Sequence, residues 1–100
     1  MNLDDYDDLK LPDQLESEVE GPAVEYAESR GWFCAKFVSP GLRGVMDRIF
    51  IRDGRVLFVE FKRPGKRPRT QQKKRIAEMI AHGAEVHSID NLNDAFDLFR

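Results

Sequence analysis

Four segments of the chain read as strands and three as helices from the spacing of their apolar residues. The first helix is predicted from about Leu15 to Arg30, where Leu15, Val19, Ala23, Tyr26 and Ala27 recur every three or four positions and Gly31 supplies a stop. Gly21 and Pro22 interrupt that rhythm, so a start at Pro22, where proline suits a first turn, is the other reading. "WFCAKFV" (32–38) reads as a strand and "SPGLRG" (39–44) as a turn-rich loop. "MDRIFIR" (46–52) alternates strictly, with Asp47, Ile49 and Ile51 on one face and Met46, Arg48, Phe50 and Arg52 on the other. Asp53-Gly54 then predicts a tight hairpin into "RVLFVEFK" (55–62), which Pro64, Gly65 and Pro68 end. A helix over about Thr70 to His82, a short strand "AEVHSI" (84–89) and a terminal helix "NLNDAFDLF" (91–99) complete the chain. The order α-β-β-β-α-β-α predicts an α/β domain with a small mixed sheet.

One strand departs from its own pattern. In residues 55–62 the side chains of Val56, Phe58, Glu60 and Lys62 share a face, opposite Leu57, Val59 and Phe61. A charge left buried and unpaired in such a strand costs several kcal/mol, so Glu60 and Lys62 must answer to something nearby. With Asp53-Gly54 at the turn, residue i opposes residue 107 − i, which sets Asp47 against Glu60. Two opposed carboxylates repel unless neutralised or bridged by a cation. Their oxygens suit Mg²⁺ or Mn²⁺, with Lys62 placed to orient water or steady charge on a phosphate. The other reading is a structural ion cluster in which Lys62 and Arg48 balance the two acids.

Charge distribution changes the picture more than the net charge of −2 does. Residues 1–29 hold ten acids and one base, Arg30 to Arg75 hold fourteen bases and three acids, and the rest is acidic again. Eight bases without an acid run from Lys62 to Arg75, the footprint of a polyanion binder. Length allows a single domain, assigned to residues 14–100 behind an acidic flexible arm at 1–13. No apolar run suits a membrane span, the acidic start is not a targeting peptide, and a lone Cys34 points to a reducing cytoplasm.

Asp47 followed by Glu60-Phe61-Lys62 on the next strand resembles the D…(D/E)-x-K signature of the restriction-endonuclease-like, or PD-(D/E)XK, nucleases. More closely, "KFVSPGLRGVMDRIFIRDGRVLFVEFKRPGKRPRTQQ" is similar to the virus-type replication-repair nuclease (VRR-NUC) domain, over about residues 16 to 90. The resemblance implies a restriction-endonuclease-like core and a Mg²⁺- or Mn²⁺-dependent endonuclease. Asp47 and Glu60 would then be metal ligands, Lys62 the catalytic lysine, and Gln72 (with Gln71 the lesser candidate) the glutamine that positions lysine, water or phosphate. Glu20 would be the helix carboxylate, preferred to Glu16 because it precedes Gly31 by eleven residues, as in related archaeal junction resolvases. Met46 stands where the family commonly has proline, a backbone-shaping position. Arg63, Lys66, Arg67, Arg69, Lys73, Lys74 and Arg75 would grip DNA phosphates, with Arg43 as a further loop contact. Similarity to stand-alone phage members implies four-way (Holliday) junction DNA as substrate and a homodimer as the working form.

The remaining chemistry-bearing residues have plainer readings. His82 and His87 lack metal-ligand spacing and read as a helix-end and a strand residue. Cys34 reads as a small core residue. Trp32, Phe33 and Phe37 read as core or dimer interface, and Leu92, Phe96 and Phe99 as a core cap or a dimer seam. Two rival functions stand beside the nuclease: a non-catalytic nucleic-acid-binding module, and a structural subunit of a repair or replication complex.

Overall fold

The computed structural model describes residues 12–37, 47–66 and 68–100. Its elements are α1 (Pro12–Ser29), β1 (Phe33–Lys36), β2 (Arg48–Arg52), β3 (Arg55–Phe61), α2 (Thr70–Ala81), β4 (Glu85–Ile89) and α3 (Leu92–Phe99). The order is the one the periodicity predicts. Of the arm assigned to 1–13, Pro12 and Asp13 are helical, and residues 1–11 lie outside the described residues.

α1 passes straight through Gly21 and Pro22, as the reading from about Leu15 has it and against a start at Pro22, and it begins about one turn earlier, at Pro12. Tertiary packing is the reason: Val19, Ala23 and Ala27, one turn apart, are all buried and pack with α3 and the sheet. Gly31, at φ 89°, takes the left-handed conformation that stops the helix and turns the chain into β1.

The sheet runs in the order β1-β2-β3-β4, antiparallel through β3, with β4 added parallel to β3 by way of α2. Asp53 and Gly54 both have positive φ, 52° and 81°, the signature of a tight hairpin turn that matches strand twist. Pairs Arg52–Arg55 through Arg48–Val59 follow the predicted register, and one step further places Asp47 opposite Glu60.

One face of the sheet carries the core. Phe50, Leu57, Val59, Phe61 and Ile89 meet the α1 residues together with Ala95 and Phe99 of α3. The Phe50 ring lies 4.4 Å from Phe99 and 6.2 Å from Phe61. Trp32 donates its Nε1–H to the Phe99 carbonyl at 3.0 Å, while the Arg52 guanidinium covers its ring at 4.5 Å. Phe99 is thus core, and Cys34 packs against the core cluster, with burial raising its thiol pKa to about 11. The opposite face is less covered: Phe33 pairs with Ile51 and Ile51 with Val56, and Phe33 and Val56 remain 61% and 41% exposed.

Candidate active site

The two carboxylates meet where β2 begins and β3 ends. The Phe37 N–H donates to the Asp47 carbonyl at 2.7 Å, fixing the backbone that enters β2. On the other side the Lys62 N–H donates to Ile89 O at 2.8 Å, prolonging the β3–β4 ladder past Phe61. β4 therefore holds the backbone of Glu60 and Lys62, and the alternation that turns Phe61 into the core turns their side chains toward the other face.

Glu60 is only 3% exposed, and its two oxygens have different surroundings. Oε1 accepts from Gln72 Nε2 at 2.7 Å and faces Lys62 Nζ at 3.2 Å. Oε2 is buried with no hydrogen-bond partner among the described residues. Burial, then the Asp47 carboxylate, raises the Glu60 pKa to about 7. Asp47 is exposed at its strand end, yet protein on one side strips water from its carboxyl; that desolvation and then the Glu20 charge raise its pKa too.

Gln72 reaches Glu60 because it belongs to a capping box at the start of α2. Its Oε1 accepts the Arg69 N–H at 3.1 Å, leaving the amide NH₂ to point at Glu60. One side chain thus starts a helix and fixes a carboxylate rotamer, and neighbouring Gln71 is exposed instead.

Glu20 joins the site only at its margin. Its Oε2 accepts from Arg48 Nε at 2.7 Å, a partner that strand alternation alone placed on the opposite face from Asp47. Among the described residues no three acidic, histidine or cysteine side chains converge as a metal-binding group. The Glu16 side chain lies outside the described side chains.

The basic run is not one uniform surface. Arg69, Lys73 and Lys74 are exposed around the start of α2. Arg63 is a correction to the surface role read from sequence: it is only 5% exposed and folds inward as β3 ends. Arg75 is engaged by Glu78 at 2.7 Å. Lys66 lines a cavity of about 370 Å³ with Gly65, Pro68, Ser88, Asp90 and Asp94, whose carboxylates oppose any phosphate there. Arg43 and Arg67 lie outside the described residues, as does Met46. Both histidines are locally engaged, His82 Nδ1 with the Glu78 carbonyl at 2.8 Å and His87 Nε2 with Glu85 at 2.7 Å.

A four-stranded mixed sheet flanked by helices, with Asp47 and Glu60-Phe61-Lys62 at one end of adjacent strands, defines a domain of the restriction-endonuclease-like class. The chain is 38% identical over 77 residues to "Putative nuclease p44" of Acyrthosiphon pisum secondary endosymbiont phage 1, covering 76% of this chain and 83% of that protein. Among solved structures, a VRR_NUC domain matches with a TM-score of 0.78 at 25% identity, over 83% of this chain and 91% of that one. The chain belongs to the VRR-NUC family. No family model matches it. No helix among the described residues is long and apolar enough to cross a membrane.

Proposed function

We propose that this protein is a Mg²⁺- or Mn²⁺-dependent DNA endonuclease that resolves four-way junctions as a homodimer. The observation that carries the reading is Glu60: one oxygen is clamped by Lys62 and Gln72, the other is buried with no hydrogen bond among the described residues, and the Asp47 carboxylate is near enough to raise its pKa. A purely structural ion cluster would satisfy both oxygens, since an unmet buried acceptor costs about 1–3 kcal/mol. Two neighbouring carboxylates, one with a bare oxygen, fit a hard divalent cation that keeps room for water and phosphate.

Asp47 and Glu60 would hold that cation. When bound, it supplies a water of lowered pKa and offsets charge on the phosphate. Lys62 Nζ, 3.2 Å from Glu60, keeps a positive charge beside the phosphate oxygens as they gain negative charge. Gln72 holds the Glu60 rotamer, and Arg69, Lys73 and Lys74 grip the DNA backbone without reading its sequence. Homodimer formation is supported by the partly exposed apolar sheet face around Phe33, Ile51 and Val56, a surface that water covers poorly.

The test is cleavage of a labelled four-way junction against linear duplex and single strand, with Mg²⁺, Mn²⁺ or EDTA. Paired nicks across the junction, absent in EDTA, are expected. Salt-sensitive binding without cleavage under either metal would identify a binding module instead. Light scattering on Phe33→Asp addresses the assembly: a dimeric wild type and a monomeric variant with an unchanged circular dichroism spectrum are expected. A monomeric wild type would remove the homodimer from the reading.

A further inference from the structure

Phe37 and Phe58 form an aromatic pair outside the core. Their ring centroids lie 5.3 Å apart with planes at 75°, and neither residue belongs to the buried cluster around Phe50 and Phe99. Both are half-buried. The pair adjoins the carboxylates. Phe37 is tied to the Asp47 carbonyl by the 2.7 Å bond that leads into β2, and Phe58 precedes Glu60 by two residues on the same sheet face. Two residues along a strand advance about 7 Å, within the reach of one nucleotide from a phosphate held at the carboxylates. An edge-on pair leaves both faces of one ring uncovered by the other, where a stacked pair would cover a face of each.

We propose that Phe37 and Phe58 are a stacking platform for one unpaired nucleobase beside the scissile phosphate, and that this contact sets the preference for branched over linear DNA. This rests on the nuclease reading of Asp47 and Glu60. Arg69, Lys73 and Lys74, exposed around the start of α2, meet phosphates, which every DNA presents. An aromatic face rewards only a base that has left the helical stack, and linear duplex resists that departure by its pairing and stacking. Bases flanking a branch point are the least well stacked, so the resistance is smallest there. Stacking is also indifferent to base identity, since every base has a π-face, which suits a phosphate grip that carries no sequence code. A second copy of this chain fits the place less well, because protein packed on Phe58 would crowd a phosphate approaching Glu60.

Fluorescence anisotropy of the full chain in EDTA measures binding apart from cleavage. The probes are a four-way junction, the same junction with an abasic site at each branch-flanking position in turn, and a linear duplex. Wild type is expected to bind one of the abasic junctions about tenfold more weakly than the intact one. Phe58→Leu is expected to bind the intact junction about tenfold more weakly, that abasic junction no more weakly still, and duplex as wild type does. Phe58→Tyr, which keeps the ring, is expected to match wild type throughout. Phe37→Leu is read in the same way and decides the matter if Phe58→Leu fails to fold. Losses in protein and DNA that simply multiply, an equal loss on linear duplex, or a wild type indifferent to every abasic position would overturn the platform. So would a change from dimer to monomer in Phe58→Leu by light scattering, which would assign the pair to subunit contact. Each of these results leaves the nuclease reading standing, whereas a wild type that binds no DNA would remove both.

Discussion

Free of divalent cations, the protein loses about 3 kcal/mol of folding stability through Glu60 as pH rises from about 4.5 to about 8. The sign follows from the direction of the shift. In the unfolded chain Glu60 releases its proton near 4.5, whereas in the folded protein it keeps it to about 7. Across that interval the folded state binds more protons, so raising pH favours unfolding, and above it the folded state carries a buried anion that water no longer solvates. This is the reverse of Glu85, which its hydrogen bond from Arg55 holds at about 2 and whose contribution is lost only as pH falls below 4.5 toward that value. The two effects therefore occupy different pH windows. Urea unfolding in EDTA, compared between wild type and Glu60→Gln, isolates the effect, because the substitution removes that one ionisable group and keeps the side chain's size. A slope that is equally steep in Glu60→Gln would mean that some other group carries it. Adding Mn²⁺ should flatten the wild-type slope, since a cation compensates the anion that the protein itself leaves bare.

Lys62→Met is expected to slow single-turnover cleavage by about 10²–10³, the usual cost of removing one fixed donor from a site of developing charge. Mn²⁺ binding should survive, because Asp47 and the bare Glu60 Oε2 remain. The change should fall on kcat with little effect on KM, which separates a role in the reaction from one in holding DNA. Lys62 is only 13% exposed and contacts Glu60, so its loss will also alter stability; matched unfolding curves keep the two effects apart. A fall of less than about tenfold, with Mn²⁺ binding intact, would move the lysine out of the reaction and into structural support for Glu60.

What the sequence disclosed and what it withheld divide along physical lines. The Asp53-Gly54 turn dictates the hairpin register, and the register alone brings Asp47 against Glu60. Period-two alternation likewise separates Leu57, Val59 and Phe61 from Glu60 and Lys62. These are local rules, and they hold wherever turn chemistry and burial agree. The features left open or misjudged depend on contacts between distant segments. Pro22 sits inside α1 because burial of Val19, Ala23 and Ala27 outweighs its local cost. Arg63 looks like part of a continuous basic stripe, yet the end of β3 turns it inward. The pairing of Arg48 with Glu20, 28 residues apart, has no counterpart in either segment's own pattern. Gln72 lies between these cases: the resemblance singled it out, and the capping box explains why it reaches Glu60.

The bond from Trp32 to the last residue of α3 makes the chain its own spectroscopic probe. Trp32 is the sole tryptophan, and it is 3% exposed with its ring edge-on to Phe99 at 5.6 Å. Its emission reports whether the C-terminal helix is docked, at the opposite end of β2 from Asp47. Intrinsic fluorescence can therefore follow the integrity of the scaffold while calorimetry or cleavage follows the carboxylates. A substitution that silences one signal and spares the other shows at once whether the framework or the chemistry was touched.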